Sequence, residues 1–284
     1  MTKLDWNKFK PYKAPSKEYF LGVVMGGSGD GKSSAVATLK GNTAFVYDSD
    51  DEDHGPSYAN TNKADGTTIT PIDLSLCLET GKKLSTPDEK LGQWRALVAD
   101  PKGIAASFDN FAIDGLKTLE SIFINSEECK RQCLTAKGAH DQWAVFRLSK
   151  EFFAEVFVKL NAINKEDVNV IATCLGNYTQ KENEDVKTFK PVLKGVGVVE
   201  DILAKMPDRL LVLKQGRKHI FTFDTTAEKA SAAKSIDCSP RLRPLGYNQI
   251  PDQMSADLEK VMMLKNGSAV YNAETGKVEK PKSK

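Results

Sequence analysis

The sequence predicts an α/β fold in which helices flank a mostly parallel central sheet, with an antiparallel hairpin late in the chain. Short, nearly continuous apolar runs recur, as in strands that are buried on both faces of a parallel sheet. Segments with helical spacing separate these runs. The chain has 284 residues, of which 40% are hydrophobic, so it can form a sizeable core.

The first part of the chain alternates between strands and helices, as a βαβ arrangement requires. The most regular helical spacing is that of the apolar residues between Gln142 and Asn164. Residues 67–84 are expected to add short strands. The main predicted strands are 19–25, 43–47, 111–114 and 169–174, and the predicted helices are 32–39, 87–98, 115–124 and 142–164.

The later part of the chain is less regular. RLLVLK at 209–214 and HIFTFD at 219–224, joined by QGRK, predict the antiparallel hairpin. Short helices are expected at 198–206 and 252–264, and the polar stretch 176–191 is expected to be a mobile loop. We therefore divide the chain into a basic extended arm over 1–18, a core over 19–250, and a C-terminal helix with a lysine-rich tail over 251–284.

Charge and cysteine content narrow the class of protein. Lysine and arginine number 40 and aspartate and glutamate 38, so the overall charge neither requires nor excludes a polyanionic partner. Five scattered cysteines without a CxxC pair favour reduced thiols over disulfides or a zinc site. Since no apolar stretch has the length of a signal peptide or a membrane span, we expect a cytoplasmic protein with no membrane partner.

The strongest functional signal is the glycine-rich loop between the first strand and the first helix. Its sequence, Gly26-Gly-Ser-Gly-Asp-Gly31-Lys32-Ser33, fits the pattern GxxxxGK[ST] in the required context. Glycines allow successive backbone N–H groups to point at one anion. We expect Lys32 to reach the β and γ phosphates of ATP and Ser33 to ligate Mg²⁺. The residues expected to bind the nucleotide are Gly26, Gly27, Ser28, Gly29, Asp30, Gly31, Lys32, Ser33 and Ser34.

A further Mg²⁺ ligand, acting through a water molecule, is expected at Asp114, which ends the apolar run FAID. Capping of the following helix is an alternative role for Asp114, and both roles can hold. Asp109 is a weaker rival for the metal. Hydrolysis also needs a group that orients or deprotonates water. The candidates lie in the acidic run after the second strand, which otherwise reads as a solvated loop: Asp48, Asp50, Asp51, Glu52 and Asp53.

The order of these motifs resembles that of the RecA-like P-loop ATPases. In that family the strand after the phosphate loop ends in an aspartate, a small residue and a catalytic glutamate, and AFVYDSD puts Asp50 at the last position. Aspartate is one methylene shorter, so the resemblance implies slow turnover or a transfer of this role to Glu52. The layout and length are more particularly similar to small phage-encoded ATP-binding proteins of the Sak type, which are associated with single-strand annealing and recombination.

The resemblance covers roughly residues 19–245 and implies further functional residues. Pro191-Val-Leu-Lys-Gly195 and Ala233-Lys234-Ser235 are similar to an L-x-G segment and a short Ala-Lys-rich motif of those proteins. This implies that Lys234 reaches the ATP site of a neighbouring subunit, with Arg241 and Arg243 as reserves. An ordinary surface role for Lys234 is equally compatible with the sequence.

The position of the γ-phosphate sensor departs from the pattern of the family. The family often has a polar γ-phosphate sensor at the end of the fourth strand, where this chain has Leu175, so Asn177 or Thr173 would have to substitute.

Interleaved aromatic and basic residues suit single-stranded nucleic acid, because bases stack on rings while cations follow the phosphates. Such residues occur in the stretch 178–194 (Tyr178, Lys181, Lys187, Phe189, Lys190 and Lys194) and in the arm (Trp6, Phe9 and Tyr12).

The sequence thus leads us to expect an ATPase, with ATP and Mg²⁺ as ligands, that binds single-stranded DNA and assists phage-type recombination or annealing. The resemblance implies self-association into a ring or filament, a single-strand-binding protein as a further partner, and the host cytoplasm as the location if a phage encodes the chain. The alternatives are a nucleotide-gated scaffold with little turnover and a ring-helicase-like motor. A small-molecule kinase is less well supported, since no arginine-rich lid is evident.

Overall fold

One sheet lies at the centre of the fold. The computed structural model describes residues 19–50, 65–135, 138–139, 141–180, 187–194, 205–222, 253–272 and 274–281. The strands of the sheet are β1 (Leu21–Gly26), β2 (Gly41–Tyr47), β3 (Thr67–Asp73), β4 (Asn110–Ile113), β5 (Asn169–Gln180), β6 (Lys187–Pro191), β7 (Asp208–Gln215), β8 (Lys218–Thr222) and β9 (Gln253–Ser255).

Helices separate the parallel strands, as the βαβ pattern predicts. A small antiparallel hairpin of β10 (Val270–Asn272) and β11 (Lys277–Glu279) follows the last helix. The helices are α1 (Lys32–Val36), α2 (Pro87–Leu97), α3 (Pro101–Ser107), α4 (Leu116–Asn125), α5 (Glu127–Gln132), α6 (Gln142–Asn164) and α7 (Leu258–Lys265). Among the described residues, no helix is both long and apolar enough to cross a membrane.

The topology of the sheet determines which loops meet. The strand order is β3-β2-β4-β5-β1-β7-β8-β9, and β6 pairs with β5. Neighbours from β3 to β7 are parallel, whereas the β5–β6, β7–β8 and β8–β9 pairs are antiparallel. The carboxyl ends of parallel strands lie at one edge of a sheet. The loop after β1, the acidic residues after β2 and Asp114 after β4 therefore share that edge, and the predicted mostly parallel α/β fold is confirmed.

The core explains why the apolar runs form these elements. All six residues of β1 and all four of β4 are buried, as expected for strands covered on both faces. Helix α6 begins and ends where the sequence predicts, and it buries its apolar face through residues such as Phe152 and Leu160. Phe152 stacks on Phe123 of α4 with ring centroids 4.4 Å apart. The aromatic face of α6 is thus part of the core.

Several predicted boundaries are wrong. The polar stretch 176–191 is not simply a loop, because β5 continues to Gln180 and pairs with β6. The polar sequence of this stretch predicts a loop, but the backbone N–H and C=O groups of the two strands pair with each other, and this pairing does not require apolar side chains. Helix α1 ends at Val36 instead of residue 39, and α7 begins at Leu258 after a short strand. Helices α3 and α5 were not predicted, and the arm (1–18) and most of the helix expected at 198–206 lie outside the described residues.

A buried carboxylate connects α4 to the chain that follows β6. Glu120 is only 3% exposed, and its carboxylate accepts hydrogen bonds from the Ser149 hydroxyl at 2.8 Å and from the backbone N–H of Lys194 at 2.8 and 3.1 Å. Burial raises the pKa of Glu120 above its ordinary value, although these hydrogen bonds oppose the shift. Glu120 therefore holds Lys194 against α4 and α6.

Replacing Glu120 by alanine is expected to lower the free energy of unfolding by about 2–4 kcal/mol, because the Ser149 hydroxyl and the Lys194 N–H lose their acceptor. Glu120→Gln keeps an acceptor oxygen and removes the buried charge, so it is expected to retain stability at neutral pH. Denaturant unfolding of both variants measures the difference.

The pH dependence gives the control. Since the folded pKa of Glu120 is raised, the folded state binds more protons than the unfolded state, and stability falls as pH rises from the unfolded pKa through the folded pKa. Glu120→Gln should remove this fall. An unchanged pH profile in that variant would contradict the role assigned to the carboxylate.

Candidate functional site

The glycine-rich loop follows β1 directly and turns sharply into α1. Gly29 and Gly31 have φ angles of +75° and +90°, in the left-handed region that favours glycine. The Gly27 N–H donates to Asp30 Oδ2 at 2.7 Å, and the Asp30 N–H donates to the Gly27 carbonyl at 3.3 Å. Ser28 and Gly29 at the tip are exposed. Since α1 has only five residues, the backbone of the loop itself is the main anion-binding feature.

Lys32 places a cation inside this loop. It is 8% exposed, and its Nζ donates to the carbonyl oxygens of Gly26 at 3.2 Å and Gly27 at 2.8 Å. Burial lowers the pKa of Lys32, while the nearby carboxylates of Asp114 and Asp30 oppose that shift. A lysine ammonium has three N–H donors. The two carbonyl contacts therefore orient the ammonium within the loop and leave donor capacity for a phosphate oxygen.

Asp114 lies between two hydroxyl groups at the carboxyl edge of the sheet. The Ser33 hydroxyl donates to Asp114 Oδ2 at 2.8 Å, and the Thr173 hydroxyl donates to Asp114 Oδ1 at 2.7 Å. Thr173 Oγ1 also accepts the Gly115 N–H at 2.9 Å. Since β5 lies between β1 and β4, Thr173 on β5 completes the connection from the loop to Asp114.

Neither the capping role of Asp114 nor the rival carboxylate Asp109 agrees with the structure. Gly115 is the N-cap residue of α4, and the two carboxylate oxygens of Asp114 accept hydrogen bonds from Ser33 and Thr173 instead of from the helix backbone, so Asp114 does not cap the helix. Asp109 precedes β4 and accepts the Asn42 N–H at 2.8 Å, at the edge of the sheet opposite to the loop. Asp109 is therefore too far from the loop to replace Asp114.

The donor set fits Mg²⁺, which prefers oxygen ligands and retains several waters. Ser33 Oγ and Asp114 Oδ2 lie beside the loop. Asp114 is buried, as is Thr173 behind it, whereas Ser33 is half-buried. The described residues contain no cluster of three or more His, Cys, Asp or Glu side chains that would hold a metal ion by themselves. A metal ion at Ser33 and Asp114 would therefore need phosphate oxygens and water as its other ligands.

The acidic residues after β2 form a separate cluster with two lysines. Asp48 is 5% exposed, and both its oxygens accept hydrogen bonds from Lys90 Nζ, at 2.9 and 2.8 Å. Lys90 Nζ also binds Asp50 at 2.8 Å, and Lys83 pairs with the other oxygen of Asp50. The hydrogen bonds with Lys83 and then Lys90 lower the pKa of Asp50. Asp50 is thus a paired carboxylate, whose role as a base would require its release from the lysines.

This cluster opens into a cavity of about 460 Å³ between the ends of β2, α2 and α4. Asp48, Asp50 and Lys90 line one side of the cavity, and Thr118 and Asn125 of α4 line another. Burial would lower the pKa of Lys90, but its hydrogen bonds to Asp48 and Asp50 outweigh burial and raise it. The amine therefore remains charged and neutralises the carboxylates beside the cavity.

The hairpin of β5 and β6 brings part of the predicted DNA-binding segment together. Tyr178 and Phe189 are directly opposite each other in its register, as are Gln180 and Lys187. The remaining candidates cannot be placed, because they lie outside the described residues: Asp51, Glu52, Asp53, Lys181, Lys234, Arg241 and Arg243.

Sequence reasoning missed the partners that hold the candidate residues in place. The sequence suggests Thr173 only as a sensor in place of Leu175, yet Thr173 binds the Asp114 carboxylate directly. The sequence does not indicate a role for Lys90, although Lys90 neutralises both Asp48 and Asp50. A polar residue within a buried apolar run, as in Thr173, is a usable signal. No sequence signal distinguishes Lys90 from an exposed helical lysine.

Lys90→Met is expected to lower the free energy of unfolding by about 3–5 kcal/mol, because it leaves the buried Asp48 carboxylate without a cation. The matched variant Lys83→Met is expected to change it by less than about 1 kcal/mol, since the Lys83 side chain is 55% exposed. Urea unfolding of the two variants measures this contrast. Equal effects would show that Asp48 does not depend on Lys90.

Comparison with known proteins adds no family assignment. No protein-family model matches the chain, and no curated protein matches it. The functional argument therefore depends on the loop at 26–34 and on the side chains that converge beside it.

Proposed function

We propose that this protein binds ATP with Mg²⁺ and hydrolyses it, as a RecA-like P-loop ATPase. The observation that carries the proposal is the hydrogen-bonded series Ser33–Asp114–Thr173 next to a glycine loop that contains the buried Lys32. A glycine loop alone binds many anions. A hydroxyl and a carboxylate beside the loop add the ligands that a metal–triphosphate complex needs.

The residues of the site would bind the phosphates, ligate the metal and orient its ligands. Backbone N–H groups of the loop and the Lys32 ammonium would bind the phosphates. Ser33 would ligate the metal, Asp114 would act on it through water, and Thr173 would orient Asp114. Bound Mg²⁺ would neutralise charge on the phosphate oxygens.

The attacking water needs a group that orients it, and Asp50 is the candidate that lies among the residues the structure describes. Its pairing with Lys83 and Lys90 lowers its pKa, and this makes it a weak base until the pairing loosens. Slow turnover in the isolated protein follows from this arrangement. Glu52 remains the alternative base.

We further propose that single-stranded DNA is the polymer partner, in recombination or annealing. Strand β5 holds Thr173 at the nucleotide site and reaches Tyr178 in the hairpin five residues later, a distance of roughly 17 Å for an extended strand. Helix α4 begins two residues after Asp114, and its Glu120 binds the Lys194 N–H just after β6. A change at Asp114 would therefore reach both ends of the β5–β6 hairpin.

A nucleotide-gated scaffold is the second candidate function. The observation that favours it is the Asp50 carboxylate, which is bound by two lysines. Such a protein would bind ATP, assemble and turn it over little. Self-association, with Lys234 acting between subunits, belongs to both proposals.

ATP hydrolysis with and without single-stranded DNA tests the proposed function. Lys32→Ala is expected to lower kcat/KM by about 10²–10³-fold, because the phosphates lose a positioned cation. Lys102→Ala, at an exposed position on α3, is the matched control. ATP binding without turnover in the wild type would favour the scaffold, and absence of ATP binding would overturn both functions.

Thr173→Val tests the positioning of Asp114. The substitution keeps the buried volume but removes the hydroxyl, so the apparent affinity for Mg²⁺ in ATP hydrolysis is expected to fall by about 10-fold. A Mg²⁺ titration of turnover measures the effect, and thermal unfolding checks that the variant is folded. An unchanged Mg²⁺ dependence would exclude a role for Thr173 in orienting the carboxylate.

A further inference from the structure

A histidine on β8 lies directly against the glycine loop. A Cβ atom built on Gly31 would be 2.5 Å from both Cγ and Nδ1 of His219, closer than any real side chain allows. Gly31 has a φ of +90° and immediately precedes Lys32. The imidazole ring therefore occupies the space beside the loop that a larger residue at position 31 would need.

His219 is held firmly in this position. Strand β8 pairs with β7 on one side, where His219 faces Lys214, and with β9 on the other. The His219 carbonyl accepts the Ala256 N–H at 3.0 Å. Because both neighbouring strands restrain its backbone, His219 is a fixed feature of the loop's surroundings.

The sheet order puts His219 and Asp114 on opposite sides of the loop. Strands β5 and β4 lie on one side of β1, and β7 and β8 lie on the other. If the γ-phosphate lies beside Ser33 and Asp114, the rest of an extended triphosphate crosses the loop away from β4. The nucleoside half of the ligand then leaves the loop on the side of His219.

The ring also has an unused polar atom. Among the described residues, His219 Nδ1 is buried and has no hydrogen-bond partner. A buried nitrogen without a partner is unfavourable, and such atoms in folded proteins call for an explanation. Nδ1 itself is enclosed by protein, whereas the ring as a whole is half-buried. A ligand would therefore meet the other ring nitrogen, Nε2, which can donate or accept according to the tautomer and suits a sugar hydroxyl or a base nitrogen.

We propose that His219 contacts the nucleoside half of the bound nucleotide through Nε2 of its imidazole ring, so that the site prefers a nucleoside triphosphate to a bare triphosphate. This inference rests on the proposed ATP site. It assigns a specificity residue to a position outside the GxxxxGK[ST] motif.

Equilibrium binding of ATP and of inorganic tripolyphosphate, both with Mg²⁺, tests the proposal. His219→Phe keeps a ring against Gly31 but removes both ring nitrogens, and it is expected to weaken ATP binding by about 5- to 10-fold, the size of one net hydrogen bond. Tripolyphosphate binding should not change. His219→Gln, which retains a polar atom near the Nε2 position, should restore part of the ATP affinity, and Gln215→Ala, at an exposed position on β7, is the control.

The outcomes separate this inference from the proposed function. Equal weakening for both ligands in His219→Phe would show that the histidine only shapes the loop, and unchanged ATP binding would show that it has no role. Either result would overturn the inference while the ATP site stands. If wild-type protein and Lys32→Ala bind ATP equally weakly, the proposed function fails, and the inference fails with it.

Discussion

The carboxylate of Asp114 is the contact on which the candidate site depends. It joins the Ser33 hydroxyl after β1 to the Thr173 hydroxyl on β5, although β1 and β4 are not adjacent in the sheet. A buried carboxylate is costly unless hydrogen bonds satisfy its oxygens. Both oxygens have a hydroxyl donor here, so the geometry that satisfies the buried charge also presents it to the loop.

Two buried lysines at this edge of the sheet have different electrostatic surroundings. Lys32 is desolvated inside the loop, and Lys90 is held by Asp48 and Asp50 after β2. The two cations have opposite pKa shifts, because burial prevails at Lys32, whereas at Lys90 the hydrogen bonds and charges of Asp48 and Asp50 together outweigh burial. Lys32 therefore has the environment of a ligand-binding cation, and Lys90 that of a structural partner.

The elements that leave this edge of the sheet connect it to more distant surfaces. Strand β5 passes from Thr173 to the hairpin with β6, and α4 carries Glu120 to the backbone of Lys194. On the other side of the loop, β8 brings His219 against Gly31. A ligand in the loop would thus lie among three elements that come from separate parts of the chain, and this is a suitable arrangement for coupling nucleotide binding to a change elsewhere.

The sequence by itself determined the α/β class, the long helix α6, the hairpin of β7 and β8, and the position of the loop, because these depend on local periodicity and on glycine conformation. The place of Asp114 at the end of an apolar strand also predicted that its side chain would lie beside the loop. Only the tertiary structure decided that Thr173 binds Asp114, that Lys90 pairs with Asp50, and that β5 extends into a hairpin. These features are contacts between residues distant in the chain, and they depend on strand order and burial, which no local pattern records.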